Sequence, residues 1–397
     1  MRGTEAHYAQ RSLCDPAHSE ANARAIADAV GFCHVHAAHV AAPRQFSSAM
    51  SAVMHRALAF LRPLFESRPG TEDHALEVQD HVLEILFAAR GVCPACSFSE
   101  RRLSGLLTRH ASALRSGRAK DAARALCLQH FRALIGLSEL SDLTHWVEME
   151  VELLAAAENM LDADDPRALR RLTRLVAGRR ARPPDIQPAP DSDCRVCVAM
   201  RTARARWLEV ACGSVRTDAA PSLVMPTCAE HIWDCHEADD PNLAAYATRN
   251  AFELSLKNLR RAAVVLKQEE RKLEEAKRSV WYRKKSPAYI LGQRRRVVTK
   301  IPRCPACEHI AVARDGAIAG LLEDLRDKRK REEFQGGRGL CMKHYALARI
   351  IAPAGPVRDA LTNTQLTELS SLQRKLSESP DKAWQDAAIY LSDGSRF

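Results

Sequence analysis

Along most of the chain apolar residues recur every three or four positions, and strand-like alternation is nearly absent. Phe98, Leu103, Leu106, Leu107 and Leu114 keep that spacing, as do Ile310, Ala313, Ile318, Leu321, Leu322 and Leu325, and each set predicts a helix that buries one stripe. The longest run is Phe252, Leu256, Leu259, Ala263, Leu266, Leu273 and Val280, in alternating steps of four and three, with Glu270 and Lys277 on the two remaining seam positions. A polar residue on a seam weakens a coiled coil, and one helix cannot close a seam alone. Packing against a neighbouring unit is therefore expected, with self-association as the sharper reading. Near the start, "DPAHSEANARAIADAV" reads as a helix with Asp15 as N-cap and Pro16 in the first turn, and "GGRG" from Gly336 reads as a turn. The pattern predicts an all-α fold.

Composition narrows the class. With 397 residues, 46% of them hydrophobic, the chain can bury a sizeable core, and its length suits several domains or a repeat array. No run approaches the roughly 18 uncharged apolar residues of a membrane span, and "MRGTEAHYAQ" lacks the basic-then-apolar pattern of a signal peptide, so a soluble cytoplasmic protein is expected. Arginine far outnumbers lysine and alanine is abundant, which fits a GC-rich, bacterial genome. In a reducing compartment, 13 cysteines point to metal ligands or redox chemistry before disulfides.

The cysteines fall into a pattern. Each C-x-x-C is followed by a C-x-x-H: Cys93 and Cys96 by Cys127 and His130, Cys194 and Cys197 by Cys228 and His231, Cys304 and Cys307 by Cys341 and His344. Three thiolates and one imidazole are the donor set of a closed tetrahedral zinc site. An apolar-periodic stretch follows each C-x-x-H, which places Cys and His on a first helical turn, where positions three apart share a face. Zinc would then tie two helix starts together and stabilise units whose own cores are thin. The fold expectation becomes tandem helical repeat units, each stapled by a Cys3His metal site, with about three zinc ions per chain.

Two pairings are open. Local pairing within each C-x-x-C…C-x-x-H unit gives nearly constant gaps of 30, 30 and 33 residues, as a rigid repeat should, and is preferred. Joining each C-x-x-H to the next C-x-x-C instead gives gaps of 56, 63 and 72 residues and leaves Cys341 and His344 as the orphan. Cys33 and His36 form a half-site with no C-x-x-C upstream. Cys14 and His18 are poor substitutes, because the helix between would hold Cys14 more than about 20 Å from Cys33. Cys235 shares a helical face with Cys228 and His231 and offers an alternative fourth ligand, whereas Cys212 reads as a small core residue and Cys14 as a helix-flanking one. His34, His39, His236 and His309 read as surface or supporting groups.

These motifs, "CPAC…ALCLQHFRAL", "CPAC…GLCMKHYALA" and "DPAHSEANARAIADAVGFCHVHA", resemble an uncharacterised bacterial family with tandem Cys-Pro-x-Cys and Gly-(Phe/Leu)-Cys-x-x-His units. The resemblance implies a helical zinc-binding fold and carries no activity. The chain departs from it twice: the first unit lacks its C-x-x-C, and Arg195 stands where the other pairs have proline.

The expected domains are a degenerate first unit (1–90), a first full zinc unit (91–177), a proline-rich linker (178–193), a second zinc unit with a long basic helix (194–303) and a third zinc unit with C-terminal helices (304–397). Charge is local. From Lys257 to Arg303 there are 16 Lys and Arg against 4 acids, and from Pro166 to Pro184 there are 7 Arg and no acid, so the remainder of this net +10 chain is acidic. Trp281, Tyr282 and Tyr289 lie within the first of these segments, where nucleic acid or another polyanion could meet both charge and stacking surfaces.

Enzyme chemistry is weakly represented. No Gly-rich phosphate loop, H-E-x-x-H or G-x-S-x-G occurs, and a filled Cys3His site has no open position for substrate. The expected function is a non-catalytic zinc-binding scaffold or interaction protein with a protein partner. The alternatives are a nucleic-acid-binding protein using residues 257–303 and an iron–sulfur electron carrier or redox sensor.

Overall fold

The structure is a computed structural model that describes residues 19–29, 32, 47–63, 94–116, 126–139, 142–158, 166–178, 194–217, 223–238, 240–276, 292–296, 298 and 303–391. Among them there is no strand. Fourteen helices succeed one another: α1 (Ser19–Asp28), α2 (Ser47–Leu61), α3 (Pro94–Arg115), α4 (Leu128–Ile135), α5 (Leu143–Glu158), α6 (Pro166–Ala177), α7 (Arg195–Thr217), α8 (Ala229–Glu237), α9 (Pro241–Ala276), α10 (Pro305–Asp324), α11 (Lys328–Gln335), α12 (Met342–Ile351), α13 (Pro356–Glu378) and α14 (Pro380–Tyr390). The all-α expectation holds. None of these helices is long and apolar enough to cross a membrane.

Helix starts obey local chemistry. Asp240 accepts from the amides of Asn242 (3.0 Å) and Leu243 (3.1 Å) ahead of α9, and Asp327 accepts from Lys330 N (3.0 Å) ahead of α11, each satisfying donors that have no partner inside the helix. Pro166, Pro241, Pro305, Pro356 and Pro380 occupy first helical positions, where the missing N–H costs nothing.

The chain divides into two compact units, and neither is continuous in sequence: unit 1 is Met1–Arg101, Ala181–Ala203 and Ile310–Phe397, and unit 2 is Arg102–Arg180 and Arg204–His309. The boundaries fall inside α3, α7 and α10.

In unit 1, α2 packs on α1, α13 and α14, and α13 also receives α11, α12 and α14. Its core includes Ile26, Met54, Leu58, Leu321, Leu325, Tyr345, Leu372 and Trp384. The C-terminal part of the predicted 310–325 stripe is buried here as Ile318, Leu321 and Leu325, while Ile310, Ala313 and Leu322 are half-buried.

In unit 2, α9 lies against α5, α6 and α8, and α6 also packs on α4 and α8. Phe252, Leu256, Leu259 and Leu266 of the predicted seam are buried with Trp146, Val147, Leu154, Leu172 and Val176. Seam residue Glu270 accepts a hydrogen bond from the Thr144 hydroxyl of α5, so its polarity is satisfied inside the unit. Lys277 and Val280 lie outside the described residues. One predicted stripe residue is misplaced: Leu106 of α3 is 56% exposed, and Leu107 beside it takes the buried position.

Helix periodicity accounts for four of the seven arginines in one basic segment, and Arg179, Arg180 and Arg182 lie outside the described residues. On α6 Leu172, Thr173, Val176 and Ala177 face the core, and Arg167, Arg170, Arg171 and Arg174 lie on the opposite side, so this charge is the solvent face of an amphipathic helix.

Candidate metal centres

Every described ligand pair occupies one local arrangement. The first cysteine immediately precedes a helix and the second ligand is its third residue: Cys194 and Cys197 on α7, Cys304 and Cys307 on α10, Cys127 and His130 on α4, Cys228 and His231 on α8, Cys341 and His344 on α12. Cys127, Cys228 and Cys341 have extended backbone (φ −82, −96 and −63°), and each carbonyl accepts the first helical N–H, at 2.9 Å from Phe131, 3.2 Å from Ile232 and 2.8 Å from Tyr345. This N-cap and third-residue geometry aims both side chains at one point beyond the helix end. There the partial positive charge of the helix terminus favours thiolate over thiol.

Among the described residues two complete sets of four converge, one made by α7 with α12 and one by α8 with α10. In unit 1, Cys194 and Cys197 meet Cys341 and His344. The separations are 3.7 Å for Cys197 Sγ–Cys341 Sγ, 3.4 Å for Cys194 Sγ–His344 Nδ1, and 3.2 Å to that nitrogen from both Cys197 Sγ and Cys341 Sγ. In unit 2, Cys228 and His231 meet Cys304 and Cys307. Here Cys228 Sγ–Cys307 Sγ is 3.7 Å, and His231 Nδ1 lies 3.0, 3.8 and 3.3 Å from the sulfurs of Cys228, Cys304 and Cys307.

These distances test the fit of a metal. Tetrahedral ligation at ordinary zinc bond lengths sets sulfur–sulfur edges near about 3.7 Å and sulfur–nitrogen edges near about 3.6 Å. The two sulfur–sulfur edges match the first value, five of the six sulfur–nitrogen edges, at 3.0–3.4 Å, are shorter than the second, and all are far from a disulfide bond of about 2 Å. Protonation points the same way. Hydrogen bonds from Cys197 and Cys341 pull the Cys194 thiol far down while the same contacts push Cys197 up, and Cys304 and Cys228 divide in the same manner in unit 2. Burial opposes a charged imidazole, yet the neighbouring sulfurs raise His231 to about 9 and His344 to about 10. Without a cation, the four groups must retain protons to share; a divalent ion at the centre takes the place of those protons. Both sets can hold a metal ion.

The pairing differs from the preferred local one. Cys228 and His231 join the next C-x-x-C, as in the competing scheme, but Cys194 and Cys197 join Cys341 and His344, a combination in neither scheme. The reason is helix length. At about 1.5 Å per residue, α7 and α10 each carry the chain roughly 30 Å from the cysteines at their start. They also run from one unit into the other, so the C-x-x-H that comes after each C-x-x-C belongs to a different unit.

Supporting groups fix these ligands. The chain enters α12 through Gly339 at φ +73°, where an added Cβ would stand 2.9 Å from Thr364 Cγ2, and Gln365 Nε2 donates to the Leu340 carbonyl (2.9 Å) next to Cys341. Arg195, the departure from proline, ion-pairs with Asp324 at 3.0 Å, and Lys330 reaches the same carboxylate at 2.7 Å. Those two cations, Lys330 foremost, hold Asp324 below the usual carboxylate range. In unit 2 Asp234 is buried one turn past His231, 3.9 Å from its Nε2, and Arg204 clamps it from Nε (2.9 Å) and a terminal nitrogen (2.5 Å). Sequence reading missed Asp234 and Gln365. The i+3 spacing from His231 could have marked the former, and nothing local marks the latter.

Cys127 and His130 repeat the half-site geometry at 3.4 Å, with Gly178 (φ +73°) placing its Cβ direction 3.3 Å from Cys127 Sγ. Among the described residues they join no set of three or more donors. Burial pushes the Cys127 thiol up, but the His130 contact outweighs it, and burial together with the Cys127 charge raises Glu150 to about 8. Their expected partner Cys93 lies outside the described residues, as do the side chain of Cys96 and all of Cys33, His36, Cys14, His18, His34 and His39. Cys235 is not a fourth ligand: it is buried beside Trp207 and Leu243, and that burial raises its thiol. Cys212 is half-buried at the edge of the same cluster. His309 is exposed, and His236 joins Thr173 and Thr248 in a polar triangle with sides of 2.9, 3.0 and 3.0 Å.

In the basic 257–303 segment, Trp281, Tyr282 and Tyr289 lie outside the described residues. Arg294 is 2% exposed and pairs with Glu269 at 3.3 Å, and Arg295 donates to the Ser138 carbonyl, so these two cations hold the fold. Lys257, Arg261 and Arg271 are exposed on α9.

No protein-family model matches the chain, and neither a curated protein nor a solved structure matches it.

Proposed function

We propose that this protein is a zinc-binding helical scaffold or interaction protein, with no catalytic centre at its metal sites. The observation that supports this is the pair of Cys3His sets whose donor atoms all lie within 4.8 Å of one another. Sulfur-rich tetrahedral sites suit zinc, and four protein donors leave no position for a substrate or an activated water. Each ion would join the starts of two helices, α7 with α12 in unit 1 and α8 with α10 in unit 2. Its binding free energy would then contribute directly to the stability of that unit.

The test is elemental analysis with an absorption spectrum of the purified chain. Colourless protein carrying at least two zinc ions supports the reading. Brown protein carrying iron and sulfide would overturn it in favour of a redox carrier.

A further inference from the structure

The two sets differ in access. In unit 1 the exposures are 5% for Cys194, 0% for Cys197, 7% for Cys341 and 2% for His344. In unit 2 Cys304 and His231 are buried, but Cys228 is half-buried and Cys307 is exposed, with exposed Glu308 and His309 directly after it. Cys228 Sγ is 3.7 Å from Cys307 Sγ, and the two cysteines stand on different helix starts, α8 and α10. Access decides which thiolate meets an oxidant first, and a neighbouring sulfur decides whether the oxidised one ends in a disulfide.

We propose that the unit 2 site is a peroxide-responsive switch, in which Cys307 is the oxidised thiolate and Cys228 the resolving one. The inference rests on the metal-binding reading above. The Cys307 thiolate attacks one oxygen of a peroxide, the O–O bond breaks, and the sulfur becomes a sulfenic acid as hydroxide leaves and is protonated to water. The Cys228 thiolate then attacks the Cys307 sulfur, an S–S bond forms, and the displaced hydroxide takes a second proton. Two thiolates have given two electrons to the peroxide. A divalent ion held by this set would be left with only Cys304 and His231 as ligands and would be released unchanged in charge, so that α8 and α10 would be tied by a disulfide in its place. The buried unit 1 set stays reduced, so the fold around it persists while unit 2 changes state.

Hydrogen peroxide applied to the full zinc-loaded chain tests this, with released zinc tracked by a chromogenic chelator and cysteine states mapped by alkylation and mass spectrometry. The expected result is loss of the unit 2 zinc with a Cys228–Cys307 disulfide, at least about tenfold faster than modification of Cys194, Cys197 or Cys341. Thiol reductant with zinc restores the starting state. Equal rates in the two units, a Cys304–Cys307 disulfide, or oxidised Cys307 with zinc retained would each overturn the proposal. Zinc content measured before peroxide is added separates the two readings. Absence of metal at the start removes the metal-binding reading itself, whereas bound zinc released without preference removes only the switch.

Discussion

At the scale of single residues, a ligand's partners can be read from what its loss removes. Cys194→Ser and Cys341→Ser should each deplete the same metal ion, and the double variant should lose no more than either alone; Cys194→Ser combined with Cys304→Ser should lose two. Metal counts on purified variants check this, and loss of separate ions by the first pair would contradict the observed set. Gly339 carries a different constraint. Alanine there meets Thr364 Cγ2 at 2.9 Å and must adopt φ +73°, so Gly339→Ala should destabilise unit 1 by about 1–3 kcal/mol, read by denaturant unfolding. His236 gives a pH signature. Burial, helped by the Arg170 charge, lowers its pKa, so the folded state keeps it neutral while the unfolded chain takes up a proton. Its contribution is therefore present above the ordinary histidine value of about 6.5 and is lost as pH falls below it. His236→Gln should show a smaller drop in melting temperature between about pH 7.5 and pH 5.5 than the parent, since the metal sites respond equally in both.

At the scale of elements, α9 decides how unit 2 holds together. Its seam was legible because the steps of four and three are long and regular, and Phe252 and Leu256 are buried where the pattern puts them. What closes the seam was not legible, since α5 and α6 reach it from about a hundred residues upstream. Phe252→Ala should cost about 3–5 kcal/mol and speed amide exchange throughout α5, α6 and α9, while exchange in α13 and α14 stays at the parent rate. Arg294, buried at 2% exposure, argues against treating every cation in a basic run as surface. Arg294→Glu would bury a carboxylate against Glu269 and should lower unit 2 stability, whereas Lys257→Glu, on the exposed face of α9, should leave it within about 0.5 kcal/mol. Comparing the melting of the two variants checks it. Among the described residues, polyanion binding is then a question for exposed cations such as Lys257, Arg261 and Arg271.

At the scale of the molecule, the chain is threaded rather than strung. Unit 1 is built from three separate stretches and unit 2 from two, so removing Ile310–Phe397 deletes much of the unit 1 core, including Leu321, Tyr345, Leu372 and Trp384. A quasi-one-dimensional array would lose its ends without consequence for its beginning. This chain should not: truncation before Ile310 should abolish protection of α1 and α2 in hydrogen exchange, and retained protection there would show that the N-terminal part folds alone.

The sequence by itself determined what depends on near neighbours along the chain. Periodicity of three and four defines a helix because each turn repeats after 3.6 residues, and C-x-x-C or C-x-x-H at a helix start defines a bidentate half-site, since N-cap and third-residue side chains converge. The donor type is legible there too, because three sulfurs and an imidazole are the donor set that suits a metal ion. Which half-sites meet was decided by the tertiary structure alone. Constant gaps record that a segment recurs, not where it lies, and helices of 23 and 20 residues deliver the second half of each segment to the other unit. Cys194, Val196 and Cys197 are buried in one apolar cluster with Leu321, Leu340, Cys341 and Tyr345, and it is burial among residues distant in the sequence that brings this C-x-x-C to this C-x-x-H.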